Sequence, residues 1–307
     1  MASFLSTIHV DTPLSNVSIQ YKNKELVADR IFPQIQVAKK SDKYFIYNKA
    51  DAFTQIQPLT NHLADVGEVN YSVSTGSYSC LDYALKEFVS RDVIENADAP
   101  LQPLIDTTEN ITQRLLLDRE IKLAAQLFST SVISNNLDLT AGTKWTSASS
   151  EPISQILTGL DSIVGVPGPF CVLFGRAAWR SFRTHPDVLS AFQYNTSGVA
   201  ATEQDVKNFF GFEDVIIGNG FKNTAALNAT ASYSDIWGDS VLIFKRGTSL
   251  AVKEVALGYC MRFGNMEVQR WQDFNRGARG GEMVKVGWSY ADEITAVDAA
   301  YLIDDVN

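Results

Sequence analysis

Cysteine and histidine are scarce in this chain, at three each in 307 residues. Cys80, Cys171 and Cys260 are odd in number and far apart, which argues against a disulfide framework and for three reduced thiols serving as small core residues. His9, His62 and His185 are too scattered for a metal site or a Cys–His pair, and surface or turn positions are expected for them. The phosphate-loop GxxxxGK[ST], HExxH, GxSxG and CxxC patterns are all missing. The nearest lookalike, GNGFKN (Gly218–Asn223), lacks a third glycine and is better explained as a strand-ending turn. Long apolar runs are missing too. The longest, around Pro169–Phe174, falls far short of the roughly 18 residues that cross a bilayer. The opening MASFLSTIHVDTP has no basic leader, and His9 and Asp11 break its apolar run, so no secretory signal is expected and a cytoplasm is the default setting. Positive charge is in deficit, with 26 Lys and Arg against 35 Asp and Glu and a net charge of -9. Such a chain repels phosphate, which argues against a dedicated nucleic-acid binder and leaves room for a weak, neutral relation to DNA.

What remains is an ordinary globular composition, 45% hydrophobic and 20% charged, long enough to bury roughly three quarters of its unfolded surface. The charge is unevenly placed. Residues 1–50 hold seven bases (Lys22, Lys24, Arg30, Lys39, Lys40, Lys43, Lys49) against Asp11, Glu25, Asp29 and Asp42, a local +3. In residues 51–100 only Lys86 and Arg91 oppose Asp51, Asp65, Glu68, Asp82, Glu87, Asp92, Glu95 and Asp98, giving -6. Most such charges keep a protein soluble, but segments of opposite sign can also pair between copies and steer assembly.

Residues 1 to about 40 mix polar residues with isolated apolar ones, as an arm does, with one helical turn near Leu26–Ile31. KYFIYNK (Lys43–Lys49) and the alternation of Val69, Tyr71 and Val73 predict two strands. The stretch between them, Asp51–Gly67, has little pattern and is expected to be the projecting tip of a long hairpin. A two-stranded ribbon is marginal alone in water, so something outside it must cover it. A long helix is expected from an Asp106 cap, with Glu109 reaching back, to about Ser129; Leu117, Ile121, Ala124 and Phe128 recur at helical spacing, and Leu115, Leu116, Leu123 and Leu127 on other faces mean that it is covered on more than one side. Residues Asn135–Ser150 are expected as a polar loop. Pro152 then opens a helix ended by Gly165, and PFCVLF makes a buried strand. RAAWRSFRT and a start at Pro186 make two more helices. Thr202 opens another, with Val206, Phe209 and Phe210 facing inward, and Asp214–Ile217 and Ser240–Phe244 complete an α/β unit from Ser150 to about Arg246. Strand-like runs follow at Val252–Val255, Tyr259–Phe263, Met266–Trp271 and Met283–Trp288, around a Gly-rich turn, RGARGG. There is no internal repeat.

Nothing in this pattern carries chemistry. Asp118 and Glu120 lie beside Arg114, Arg119 and Lys122, where ion pairing explains them better than acid–base catalysis. Trp145, Trp179, Trp237, Trp271 and Trp288 are scattered and suit core packing. No catalytic, cofactor-binding or metal-binding residues emerge, and no cofactor is implied.

The order of elements is more informative. VADRIFPQIQVAKKSDKYFIYNKAD (Val27–Asp51), VNYSVSTGSYSCLDYALKEFV (Val69–Val89), ENITQRLLLDREIKLAAQLF (Glu109–Phe128), FGRAAWRSFRTHPDVL (Phe174–Leu189) and ATASYSDIWGDSVLIF (Ala229–Phe244), in this succession, resemble tailed-bacteriophage major capsid proteins. The resemblance covers most of the chain. It implies an α+β, Hong Kong 97-type capsid fold: an N-terminal arm (1–40), an extended β-hairpin loop (41–88) lying over a neighbouring subunit, and a peripheral domain (89–149) with spine helix 106–129. An α/β axial domain (150–246) and returning peripheral strands (247–307), whose final segment could join the axial domain, complete it. The implied function is a non-enzymatic shell subunit, forming hexamers and pentamers of an icosahedral head around double-stranded DNA, with assembly in the bacterial cytoplasm. The implied partners are further copies, a separate scaffold protein, a portal, a decoration protein and non-specific contact with packaged DNA. Expected inter-subunit residues are Lys39, Lys40, Lys43, Lys49, Asp51, Phe53, Ile56, His62, Asp65, Glu68, Arg114 and Arg119. Some members cross-link Lys to Asn, but Lys49 alone, with no partner shown, does not imply it. An encapsulin-like compartment is the alternative within the same fold, and genomic neighbours would separate the two. A small-molecule α/β enzyme is a third reading; it would need a deep pocket of convergent titratable groups.

Overall fold

The computed structural model describes residues 26–55, 68–69, 72–98, 101–192, 200–226, 229–247 and 255–307. The first half of the chain runs α1 (Ala28–Ile31), β1 (Gln34–Val37), β2 (Ser41–Tyr47), α2 (Lys49–Phe53), β3 (Val73–Ser79), β4 (Leu81–Ser90), α3 (Arg91–Glu95) and the long helix α4 (Pro103–Leu127). Then come β5 (Asn136–Asp138), α5 (Pro152–Ser162), β6 (Cys171–Gly175), α6 (Arg176–Thr184), α7 (Pro186–Phe192), α8 (Glu203–Phe210) and β7 (Asp214–Gly218). Strands β8 (Phe221–Asn223), β9 (Tyr233–Asp235), β10 (Val241–Phe244), β11 (Gly258–Asp273), β12 (Gly281–Ile294) and β13 (Ala300–Asp304) complete the order.

Two sheets organise these elements. The first has the order β1-β11-β12-β4 and the second β5-β13-β10-β6-β7, while β2-β3 and β8-β9 are separate two-stranded ribbons. Strands β6 and β10 are apolar at almost every position and fully buried, because both faces of the second sheet are covered. Alternate residues point to different cores. Cys171, Leu173, Leu242 and Phe244 meet α4 and the first sheet, whereas Val172, Phe174, Val241 and Ile243 meet residues of α5 to α8 such as Ile156, Phe182, Val188 and Val206. Helix α4 is therefore wedged between the sheets, and its outer half packs Ile111 and Leu115 on Val284 and Val286 of β12.

Several local expectations are corrected by packing. Helix α4 starts three residues before Asp106, with Pro103 at its first position and Gln102 as the cap residue; Asp106 instead accepts the Gln102 N–H at 3.2 Å. Proline has no amide to leave unpaired at a first turn, which favours this earlier start. Its buried stripe is Ile111, Leu115, Leu123 and Leu127, with Ala124, while Leu117, Ile121 and Phe128 are only partly covered. Within the supposed polar loop, Trp145 is buried and donates to Gln155 Oε1 at 2.6 Å, and β5 pairs with β13. The runs Tyr259–Phe263 and Met266–Trp271 are one strand, irregular between Phe263 and Glu267, where Gly264 has φ +72°. A glycine supplies that left-handed residue at little cost, so the strand bends and continues. Phe209 is exposed and not inward. His185 does lie at a turn, between α6 and α7, but it is buried against Ser150 Oγ (3.0 Å) and the Ser147 carbonyl (2.9 Å). Trp145, Trp179, Trp237 and Trp288 are core residues, and Trp271 is 42% exposed.

The greatest departure is Arg119–Glu120, which occupies the buried stripe of α4. Glu120 is not ion-paired on a surface. Its Oε1 accepts the Val27 N–H (2.9 Å) and Trp237 Nε1–H (2.6 Å), and its Oε2 accepts the Ala28 N–H (2.8 Å). Burial pushes the carboxyl above the usual range, against the pull of those donors and of Arg119. Arg119 donates from Nε and Nη2 to Asp292 (3.1–3.2 Å), from Nη1 to Asp29, and from Nη2 to the Phe32 carbonyl (3.4 Å). Burial alone would lower its pKa, but Asp292 and Asp29 hold the guanidinium charged. One dipeptide thus ties α1, α4, β12 and the Trp237 loop together. Removing one partner from a buried charged cluster typically costs about 3–5 kcal/mol. Glu120→Ala should lose stability of that order in urea denaturation of the subunit, and amide exchange at Val27 and Ala28 should accelerate before global unfolding.

Candidate assembly surface

The ribbon β2-β3 pairs from Ser41↔Ser79 to Tyr47↔Val73. Its root is pinned. The Cys80 N–H donates to the Lys40 carbonyl (2.8 Å), its buried thiol donates to the Met261 carbonyl (3.3 Å), and Asp82 receives both Lys40 Nζ and Ser289 Oγ. Midway, the Tyr44 ring lies over Gly76, where a Cβ would stand 2.4 Å from it, so a larger residue there would have to displace the ring. At the far end Asn48 Oδ1 accepts the Ala50 N–H (3.0 Å) and starts α2. Strand β2 therefore ends two residues earlier than the KYFIYNK pattern predicts. Asp51 closes the ribbon by accepting both the Ser72 N–H and Oγ–H at 2.7 Å, bonds that lower its pKa. Helix α2 rests on its own chain, with Phe53 and Lys49 against Gly165 and Lys49 Nζ 3.5 Å from Asp298.

The rest of the ribbon is open. On the face shared by alternate residues, Phe45 is 73%, Tyr47 49% and Val73 42% exposed, and Phe53 beyond them is 65% exposed. Large apolar side chains left in water along one ribbon are a mark of an interaction surface.

Other residues expected at an interface fall in different settings. Lys39 pairs with Asp42 at 3.0 Å and Lys40 with Asp82, both on the surface at the ribbon root. Lys43 and Glu68 are exposed. Ile56, His62 and Asp65 lie outside the described residues. Arg114 is exposed on α4, its Nε 3.3 Å from Asn110 Oδ1, whereas Arg119 is internal. Sequence reasoning passed over the pair Lys86 and Lys285, which β4-β12 register places directly opposite each other. Only strand pairing brings them together, so no local pattern could have flagged them. Among the described residues no cluster could hold a metal ion, and no helix is long and apolar enough to cross a membrane.

Two sheets wedged apart by one long helix, with a ribbon thrown out beside the first, make an architecture found in solved phage capsid structures. A phage-related protein from Bordetella bronchiseptica RB50 shares it, with TM-score 0.70, 22% identity and 93% of both chains covered. So does the capsid structure of cyanophage P-SCSP1u, with TM-score 0.66 and 8% identity over 97% of this chain and 93% of the other. The family model Phage major capsid protein E matches residues 130–262, and the major capsid protein of Pseudomonas phage JBD67 is 27% identical over 304 residues, 96% of each chain. Over almost its whole length the chain is similar to phage major capsid proteins, and its middle part matches the capsid family model.

All three thiols are buried and free, and burial is the main cause raising their pKa values, to about 11 for Cys171. At pH 8 a thiol of pKa 11 is thiolate in only about one molecule in a thousand. Thiol titration of the folded subunit should leave Cys80, Cys171 and Cys260 unmodified, and mild urea should release all three together. Rapid labelling of Cys80 in native buffer would show that the ribbon root opens.

Proposed function

We propose that this chain is the repeating subunit of an icosahedral head, assembled as hexamers and pentamers around double-stranded DNA. The observation that supports this most directly is the ribbon, whose apolar face meets water in the single chain. Two strands cannot offset their own lost backbone entropy, so the ribbon gains its cover when a neighbouring subunit lies beneath it. Each such contact is modest, but its repetition around closed rings multiplies the effect. The basic root of the ribbon, the arm before residue 26 and the surface of α4 around Arg114 supply further contacts. An acidic container suits the role, since a lining that gripped phosphate would stall packaging. A separate scaffold protein, a portal and a decoration protein complete the assembly, which takes place in the host cytoplasm.

Co-expression with a scaffold should yield megadalton particles visible by negative-stain microscopy, with nucleic acid and not protein cargo inside those recovered from infected cells. Deleting Asp51–Gly67 should abolish the particles and leave a folded, soluble subunit. Ribbon amides should exchange quickly in the dilute subunit and slowly in the shell. Normal shells from the deletion mutant would disprove the role of the ribbon.

A further inference from the structure

Strand β11 is covered along only half of its outer side. In the order β1-β11-β12-β4 its outer neighbour is β1, and β1 reaches only Cys260–Phe263. Past Gly264 the strand runs on to Asp273 paired with β12 alone. Among the described residues no backbone group takes up the open side of Met266–Asp273. In an antiparallel pair every second residue turns its N–H and C=O away from the partner, so this stretch shows water a row of unpaired groups that another strand can complete. Edges that stay single are commonly blunted by lysine or proline, and residues 264–274 contain neither. They carry apolar side chains instead: Val268 is 55%, Trp271 42% and Phe274 70% exposed. Val268 stands opposite Val286 and Trp271 opposite Met283, an odd number of residues apart, so both faces of the open edge are apolar.

The edge is complementary to itself. A two-fold axis perpendicular to the sheet sets two copies antiparallel and keeps every side chain on its own face, so a residue meets itself or one an even number of positions away. With the axis at Trp271, Trp271 meets Trp271, Arg270 meets Gln272, Gln269 meets Asp273 and Val268 meets Phe274. Apolar residues face apolar ones and no like charges meet. Arg270 is neutralised within its own sheet by Glu282 at 2.8 Å. An axis at Arg270 would set that residue on itself and Glu267 on Asp273, and like charges directly opposite are destabilising. Axes at Gln269 or Gln272 would set Trp271 against Glu267 or Asp273. We propose that the Met266–Phe274 edge pairs with the same edge of a second copy about a two-fold axis at Trp271, joining two four-stranded sheets into one. This rests on the shell reading above and adds a joint of a different kind. Rings of five or six close through contacts in which two unlike patches meet, whereas a patch that meets itself cannot build a ring and joins one ring to the next.

The test puts like charges on the axis. Trp271→Asp and Trp271→Lys each set two identical charges face to face, and each should lower particle yield by about tenfold or more, while circular dichroism and urea midpoint stay those of the parent subunit. Co-expressing the two variants should recover particles, because a carboxylate then faces an ammonium group across the axis. Mild oxidation of Trp271→Cys particles should give disulfide-linked dimers. Arg270→Cys should give none, since the same residue of the second copy then lies diagonally across, at about 7–8 Å and beyond disulfide reach. The native thiols are buried and do not contribute. Parent-like yield from both charged variants, no gain on co-expression, or equal cross-linking at the two positions overturns the two-fold joint and leaves the shell reading intact. If the unaltered chain with its scaffold forms no particles, the shell reading itself falls and the joint with it.

Discussion

A buried carboxylate and a buried guanidinium, adjacent on one helix, are the constraint on which the subunit's internal order depends. Glu120 gathers the amides of Val27 and Ala28 and the indole of Trp237, and Arg119 gathers Asp29, Asp292 and the Phe32 carbonyl. Taking both charges out of water is expensive, and only a full set of partners makes it tolerable. The arrangement is correspondingly exclusive: α1, β12 and the Trp237 loop must all arrive before the charges are satisfied. Hydrophobic packing alone would allow the two sheets to slide over α4, since leucine and isoleucine contacts have little direction. The charged dipeptide supplies the direction.

The ribbon follows the opposite logic. Its root is fixed through Cys80 and Asp82, and its end is closed by Asp51, so its shape is set by hydrogen bonds at two points. Between them it exposes aromatic and branched side chains that an autonomous fold would cover. A rigid body and an extension short of burial suit a subunit whose ground state is an assembly, because the surface left open in the single chain is available to drive association.

Much of this was legible locally. Aromatic and β-branched residues marked KYFIYNK, Thr202 and Asp205 form a capping box at the start of α8, and PFCVLF marked a buried strand; the alternation at Val69–Val73 reaches a strand only at Val73, with residues 70 and 71 outside the described ones. Together their order supported the capsid resemblance, which the family model and the relatives uphold. Other features were misjudged for identifiable reasons. Asp106 looked like a cap because its neighbours suit one, but Pro103 had already opened the helix. Tyr259–Phe263 and Met266–Trp271 read as separate runs, yet Gly264 between them, at positive φ, lets one strand bend without ending. Glu120 looked like an ion-pair partner of Arg114, Arg119 and Lys122 because they stand beside it in sequence, whereas its carboxylate accepts from two amides and an indole.

The sequence by itself determined where most of the longer helices and strands lie, that the chain is acidic with a basic beginning and an acidic stretch after it, and that a long ribbon would lack its own cover. Those properties depend on neighbours within a few residues, where the periods of helix and strand and the chemistry of caps operate. Tertiary structure alone decided that Glu120 meets amides 92 and 93 positions away, that β13 returns to lie beside β5 and β10, and that Lys86 stands against Lys285. These are matters of strand register and sheet order, set by the packing of the whole chain at once, and no window of local sequence contains them.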